Sequence, residues 1–196
     1  MKNFETPLAI TMGDPSGIGP EIILKSVVET KLNNFLIFGD SLVFDSLIKS
    51  LGLPLTINKI SELSEAIFEE DYINLFETSK LNHLPHYGKI SKECGKASFD
   101  AIMKSIELAK QGKVSGIVTA PISKKALNLA HINYPGHTEI LAGYSNNKAV
   151  SMMLLNKHIK TVLVTLHCSM KQALDRITIQ NELDAIINAN LGCKLF

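Results

Sequence analysis

The sequence predicts an α/β protein with a largely parallel sheet. Short apolar runs alternate along the chain with segments of helical periodicity, as is typical of a parallel sheet covered by helices. The predicted strands are continuously apolar rather than alternating, which indicates burial on both faces. With 196 residues, the chain is long enough for one large domain or two small ones.

The predicted elements of the first half follow in chain order. PLAITM is a strand that ends in a Gly-rich turn, and Pro20 suits the first position of the helix after it. FLIFG is a second strand, and either Asp40 or Ser41 can cap the next helix. PLTINKI and YINLFET are weaker strand predictions, and KASFDAIMKSIELAKQG is a helix that Gly112 stops.

The second half continues the alternation. GIVTAP is a strand that Pro121 ends, and SKKALNLA is a short helix. VSMMLLNKHIKTVLVTLH is predicted to form two buried strands joined around Asn156 and Lys157. TIQNELDAIINANLG is an amphipathic helix, and its apolar residues share one face: Ile179, Leu183, Ile186, Ile187 and Leu191.

Composition excludes several classes of function. The net charge is +1 and no basic block occurs, which argues against nucleic acid as a partner. The longest apolar runs are far too short to cross a bilayer, and the N-terminus shows no signal-peptide pattern. Three widely spaced cysteines form neither a disulfide framework nor a metal pair, so a reduced, cytoplasmic location is expected.

Three polar loops follow predicted strands, where ligands collect in parallel sheets. The first, MGDPSGIGPE, places Gly13, Gly17 and Gly19 between a strand and a helix. Its spacing is neither a dinucleotide fingerprint nor a Walker loop. The glycines either let the backbone approach a polar ligand or only serve a tight turn, and the sequence leaves both open.

The second loop, VTAPISKK, offers Lys124 or Lys125 to a phosphate or carboxylate, although a solvated helix start is the commoner use of lysine. Nearby, YPGHTE places three polar side chains after a Pro-Gly turn. His137 is a candidate hydrogen-bond donor or acid/base, Thr138 a hydroxyl donor, and Glu139 an orienting or capping residue. The alternative is a Thr-capped helix with a surface histidine.

The third loop follows TVLVTL and begins with His167. A strand that ends in histidine aims an imidazole into a cleft, but one histidine does not make a metal site. His83 and His86 are the only close histidine pair and give a weak signal. Cys168 is the neighbour of His167 on a predicted strand, so the two side chains point to opposite faces and do not form a catalytic pair.

These motifs together resemble the 4-hydroxythreonine-4-phosphate dehydrogenases of pyridoxal phosphate biosynthesis. ITMGDPSGIGPEI, VTAPISKKAL, YPGHTEIL and TLHCSMKQALDRIT stand in that family's order and spacing. The resemblance implies a two-lobed α/β/α sandwich like that of isocitrate and isopropylmalate dehydrogenases. On this basis residues 1–125 belong to the first lobe, and residues 126–196 begin an incomplete second lobe whose C-terminal part is missing.

The resemblance also implies a reaction. NAD or NADP would oxidise 4-phosphohydroxy-L-threonine to the 2-amino-3-oxo acid, which then loses CO₂ to give 3-amino-2-oxopropyl phosphate. His137 and Thr138 match the family's substrate-binding pair, and His167 matches one of three histidines that hold a divalent metal (Zn, Mg or Co). A cytoplasmic homodimer with an active site shared between subunits is expected.

Two departures from the family pattern shape the alternatives. No NPHAG-like or YHDQG-like segment occurs, so the other two metal histidines are absent, and Cys168 and Ser169 replace the usual residues after the histidine. A truncated family member with little metal binding or turnover is therefore expected. The alternatives are a sister dehydrogenase for 4-phospho-threonate or 4-phospho-erythronate, and a non-catalytic remnant.

Overall fold

The computed structural model of the chain describes residues 6–145 and 150–195. The chain divides into two compact units, one ending at Ser145 and the other beginning at Asn146. Each unit contains a sheet of its own. The predicted lobes, 1–125 and 126–196, concern the longer family fold and stay a prediction.

Unit 1, which ends at Ser145, alternates strands and helices as the sequence predicts. Its elements are β1 (Leu8–Thr11), α1 (Gly19–Thr30), β2 (Phe35–Gly39), α2 (Ser41–Leu51), β3 (Thr56–Ile60), a short 3-10 helix (Leu63–Glu65), β4 (Tyr72–Glu77), α3 (Lys92–Lys110), β5 (Gly116–Thr119), α4 (Lys124–Leu129) and α5 (His137–Tyr144). Every strand and helix predicted for this region is present, including the two weaker strands.

The sheet of unit 1 has five strands in the order β3-β4-β2-β1-β5. All four pairings are parallel, which confirms the predicted α/β fold class. Strand β1 lies between β2 and β5, and it pairs with β2 at Ala9 and Leu36 and with β5 at Ala9 and Ile117. Strand β2 is buried at every residue, as its continuous apolar sequence predicts.

Each face of this sheet has its own apolar core. On one face, Ile10 and Ile37 of the strands pack with α1 and α2. On the other face, Ala9 and Leu36 pack with α3. Consecutive residues of a strand point to opposite faces, so a run of apolar residues supplies both cores.

Helices α2 and α3 each follow a residue whose side chain caps them. Asp40 accepts the backbone N–H of Leu42 at 3.0 Å and caps α2, which decides between the two predicted candidates. Ser91 accepts the N–H of Cys94 at 3.1 Å and caps α3. Helix α3 therefore begins four residues before its predicted start, because Ser91 supplies the start signal.

Unit 2, which begins at Asn146, contains a two-stranded antiparallel hairpin and two helices: β6 (Met153–Leu155), β7 (Lys160–Val162), α6 (Met170–Arg176) and α7 (Ile179–Leu195). The predicted turn is confirmed, since the Asn156 side chain accepts the N–H groups of His158 and Ile159 at 2.8 Å. The prediction of two buried strands is wrong, because every residue of β6 and β7 is half-buried or exposed.

The predicted strand that ends at His167 is also shorter than expected. Strand β7 ends at Val162, and His167 adopts a left-handed backbone conformation with φ 46°. A strand residue does not adopt this conformation, so local β-propensity overestimated the strand. Among the described residues, no helix is long and apolar enough to cross a membrane.

Candidate functional site

The loops after β1 and β5 meet at the carboxyl edge of the sheet in unit 1. The backbone N–H of Asp14 donates to the carbonyl of Pro121 at 2.9 Å, and the N–H of Ala120 donates to the carbonyl of Thr11 at 3.2 Å. Because β1 and β5 are parallel neighbours, their outgoing loops leave from the same edge. Two of the three loops singled out in the sequence are thus brought together.

Glycines allow this close approach. Gly13 has φ +73°, and an added Cβ would lie 2.9 Å from the carbonyl carbon and oxygen of Ala120. At Gly19 an added Cβ would lie 3.1 Å from the Cβ of Ala120. Two of the three glycines in the loop therefore have a packing reason, which favours the tight-turn interpretation for them.

Asp14 closes the same loop from within. Its Oδ1 accepts the backbone N–H of Ser16 at 2.9 Å and the Ser16 hydroxyl at 2.8 Å. The carbonyl of Ser16 in turn accepts the N–H of Gly88 at 2.8 Å, which ties the loop to the connection between β4 and α3. These bonds fix the loop without a ligand.

The helices that follow β1 and β5 lie on opposite faces of the sheet. Helix α1, which follows β1, packs on one face, whereas α4, which follows β5, packs with α3 on the other side. Connections that leave neighbouring strands toward opposite faces open a crevice outside their carboxyl ends, where ligands of open α/β sheets bind. The β1–β5 edge is therefore the candidate site.

His137 lies against this edge as the first residue of α5. It makes a hydrogen bond with the backbone of Ala120, while its Nε2 is buried and has no partner among the described residues. This bond holds the ring of His137 against the edge of the sheet. Burial lowers the pKa of His137, and the bond to Ala120 opposes part of that shift.

The start of α5 carries no side-chain cap. Gly136 is the N-cap residue, and no side chain accepts a hydrogen bond there. Thr138 is half-buried in the first turn, so the alternative of a Thr-capped helix is wrong. An uncapped helix start offers free N–H groups and the positive end of the helix dipole, both of which favour an anion.

The lysines of the second loop are exposed. Ser123 caps α4 by accepting the N–H of Ala126 at 3.3 Å, and Lys124 and Lys125 project from the first turn. Neither lysine makes an ion pair with a described residue. This is the solvated helix start that the sequence favoured.

His167 lies in unit 2, exposed, between β7 and the Ser169 cap of α6. Within residues 6–145 and 150–195, no group of three histidine, cysteine, aspartate or glutamate side chains is arranged to hold a metal ion. The other ligands of a metal ion bound by His167 would have to come from outside the described residues. The assignment of His167 as a metal ligand stays a prediction. His83 and His86 are exposed loop residues.

The contact between His137 and Ala120 is the part of the site that the sequence did not predict. Ala120 is apolar and contributes only its backbone, so composition gives no signal for it. The nearest signal in the sequence is Pro121. Strand β5 ends at Thr119, two residues before this proline, so the carbonyl of Ala120 lies outside the strand.

The chain has the α/β fold of solved 4-hydroxythreonine-4-phosphate dehydrogenases, which is of the isocitrate and isopropylmalate dehydrogenase kind. Residues 31–194 match the family described as pyridoxal phosphate biosynthetic protein PdxA, and the chain belongs to this family.

Named relatives agree with this membership. A 4-hydroxythreonine-4-phosphate dehydrogenase of Beijerinckia indica is 45% identical over 195 residues, which are 99% of this chain and 58% of the relative. A Fusobacterium nucleatum protein, named provisionally as a D-threonate 4-phosphate dehydrogenase, is 35% identical over 97% of this chain and 59% of its own length. The chain thus spans less than two thirds of these relatives.

Solved structures give the same result. A 4-hydroxythreonine-4-phosphate dehydrogenase of Klebsiella pneumoniae superposes with a TM-score of 0.90 at 31% identity, covering 99% of this chain and 60% of that protein. A terephthalate 1,2-cis-dihydrodiol dehydrogenase of Burkholderia xenovorans, 22% identical with a TM-score of 0.68 over 92% of this chain and 54% of that protein, shares the fold.

Proposed function

We propose that this chain is part of a PdxA-type dehydrogenase of pyridoxal phosphate biosynthesis. Its reaction is the oxidation of 4-phosphohydroxy-L-threonine by NAD or NADP to the 2-amino-3-oxo acid, followed by decarboxylation to 3-amino-2-oxopropyl phosphate. Family membership and the Beijerinckia relative support the reaction class. The nicotinamide would accept the hydride.

The observation that carries the proposal is the unpartnered Nε2 of His137. Buried polar atoms are usually hydrogen-bonded, and a substrate oxygen at this position would give Nε2 its partner. Its position beside an uncapped helix start and the β1–β5 crevice suits a phosphorylated substrate. We assign substrate binding to His137 and Thr138.

The protonation state of His137 sets its role. Burial lowers the pKa of His137 and so favours its neutral form. A bound phosphate would stabilise the protonated ring by charge and by accepting a hydrogen bond from Nε2, and so raise the pKa of His137. The Thr138 hydroxyl and the first N–H groups of α5 would complete the anion's hydrogen bonds.

Metal assistance does not fit the described part of this chain by itself. His167 is one candidate ligand of a divalent ion (Zn, Mg or Co), and no described cluster supplies the others. We therefore derive no step through a metal, and we expect the chain as given to bind metal weakly and to turn over little substrate. A cytoplasmic homodimer with a shared active site remains part of the proposal. Light scattering, which measures molar mass, tests the dimer.

A second candidate substrate is D-threonate 4-phosphate. The Fusobacterium relative, 35% identical, favours it. Both substrates carry a phosphate at C4 and a hydroxyl at C3, and they differ at C2, where one has an ammonium group and the other a hydroxyl. The proposed phosphate-binding residues, His137 and Thr138, can bind either substrate.

The test is a titration of the chain, labelled with ¹⁵N-histidine, with each phosphorylated compound and with inorganic phosphate. We expect the His137 signal to move toward the protonated form, and the His137→Gln variant to bind at least about tenfold more weakly, a loss of about 1.4 kcal/mol. Thr138→Val should also weaken binding, whereas His86→Gln, an exposed loop variant, should not.

The relative affinities for the two compounds identify the substrate. If the His137 signal does not respond to any phosphorylated compound while the circular dichroism spectrum shows a folded chain, the chain is a non-catalytic remnant and the proposal fails.

A further inference from the structure

Two buried side-chain polar atoms have no hydrogen-bond partner within the described ranges, 6–145 and 150–195. They are Nε2 of His137 and Oγ1 of Thr11. Thr11 is the last residue of β1 and is fully buried. Almost every buried polar group in a native structure is hydrogen-bonded, so each exception calls for an explanation. The function proposed above uses the histidine nitrogen and leaves the threonine hydroxyl without a role.

Both residues contact the same short segment at the end of β5. Thr11 pairs with Thr119 in the sheet, and its carbonyl accepts the backbone N–H of Ala120 at 3.2 Å. His137 makes its own hydrogen bond with the backbone of Ala120. Ala120 therefore lies next to both residues that carry an unpartnered atom.

The two side chains also lie on the same face of the sheet. Side chains alternate along a strand, so Thr11 shares a face with Ala9, and α3 packs on this face. Ile117 of β5 is the sheet partner of Ala9, and it packs in the same apolar cluster as Ile140 of α5. Helix α5, whose first residue is the histidine, thus lies on the face from which the threonine hydroxyl projects.

We propose that Thr11 is a further substrate-binding residue, whose hydroxyl binds the same phosphate oxygen as Nε2 of His137. A threonine hydroxyl can donate one hydrogen bond, and an anionic oxygen can accept from the hydroxyl and from a protonated imidazole together. Both protein atoms are screened from water, and hydrogen bonds in such surroundings are stronger than exposed ones. This inference rests on the proposed function, because it concerns the same substrate.

The test compares Thr11→Val, which removes the hydroxyl and keeps the shape, with Thr11→Ser, which keeps the hydroxyl. Calorimetry measures the binding of 4-phosphohydroxy-L-threonine and of inorganic phosphate to the full chain. We expect Thr11→Val to weaken binding about tenfold and Thr11→Ser to weaken it less than about threefold. Thr56→Val changes an exposed residue at the start of β3, and this matched control should leave binding unchanged.

The stability of the free chain gives a second readout. A buried hydroxyl without a partner destabilises the fold, so Thr11→Val should raise the free energy of unfolding in urea. The same variant should therefore gain stability and lose affinity. Damage to the fold would lower both, so this combination separates a role in binding from a structural one.

Three outcomes overturn the inference. In the first, Thr11→Val binds as tightly as the unchanged chain while His137→Gln binds more weakly, so the proposed function stands without Thr11. In the second, Thr11→Val loses stability and affinity together, which assigns the hydroxyl to the fold. In the third, Thr11→Val and Thr11→Ser weaken binding equally, which assigns the effect to packing. If His137→Gln also leaves binding unchanged, the proposed function itself fails.

Discussion

Replacing Gly13 by alanine perturbs the contact between the loops after β1 and β5. The substitution has two costs. The backbone of Gly13 has φ +73°, which costs an L-residue about 1–2 kcal/mol. The new Cβ would also clash with the carbonyl oxygen of Pro121, its nearest neighbour, and would lie 2.9 Å from the carbonyl of Ala120, whereas ordinary contacts begin at 3.4 Å, so one loop must move.

Overpacking of this kind costs about 1–3 kcal/mol. The expected loss in the free energy of unfolding for Gly13→Ala is therefore about 2–5 kcal/mol. Gly112→Ala is the matched control, because Gly112 has φ +69° and no atom within 4 Å of an added Cβ. The control should show only the backbone cost, about 1–2 kcal/mol.

Urea unfolding of the two variants measures this difference. The chain contains no tryptophan and four tyrosines, all in unit 1, so tyrosine fluorescence reports on that unit. The His137 signal in a ¹⁵N-histidine spectrum should also move in Gly13→Ala, since His137 is bonded to Ala120. If Gly13→Ala costs no more than Gly112→Ala, the close approach does not constrain the loops and the reasoning is refuted.

Three further predictions concern single side chains. Burial lowers the pKa of His137 below the usual 6.5, so the neutral ring stabilises the fold above pH about 6.5. This contribution is lost as the pH falls through the pKa of the folded state. The free energy of unfolding in urea should therefore change less between pH 7.5 and pH 5 in His137→Gln than in the unchanged chain. Ser91→Ala removes the cap of α3 and should cost about 1 kcal/mol by urea unfolding, and Ser91→Asn should restore most of it. Asp40→Ala should cost more than Ser91→Ala, because the Asp40 carboxylate also accepts the N–H of Leu81 at 2.8 Å and the hydroxyl of Ser79 at 3.1 Å; equal losses would contradict this.

The sequence predicted the sheet of unit 1 well because its signals there are local. The apolar run of β2 is buried on both faces, and such a run has few other stable arrangements. Asp40 and Gly112 mark a helix start and a helix stop by side-chain and backbone chemistry that operates over a few residues. Only the start of α3 was misplaced, because Ser91 lies outside the periodic segment.

The hairpin of unit 2 was predicted less well because β-propensity depends on neighbours. TVLVTL has the composition of a buried strand, yet β7 contains only Lys160–Val162 and pairs with a single strand. A high β-propensity means that residues fit a half-buried sheet. In unit 2 few described residues pack against this segment, so it stays largely unburied. His167 therefore does not leave the end of a strand, as its sequence context had indicated.

The candidate site was predicted in its residues but not in its contacts. The turn at Pro135 and Gly136 drew attention to His137 and Thr138, and the structure places both in the first turn of α5. His137 and Ala120 come into contact because α3, α4 and α5 pack together. The apolar residues of these three helices form one cluster. Sequence spacing carries no information on such a contact.

The position of β1 in the sheet has a consequence for the order of folding during synthesis. Leu8 pairs with Phe35 on one side and with Gly116 on the other, so the first strand made must wait about a hundred residues for its second neighbour. At the usual rates of translation this interval is about 5–20 s, long compared with hairpin or helix formation. Until β5 emerges from the ribosome, one edge of the nascent sheet is open, and chaperones that hold apolar strands would act in that interval.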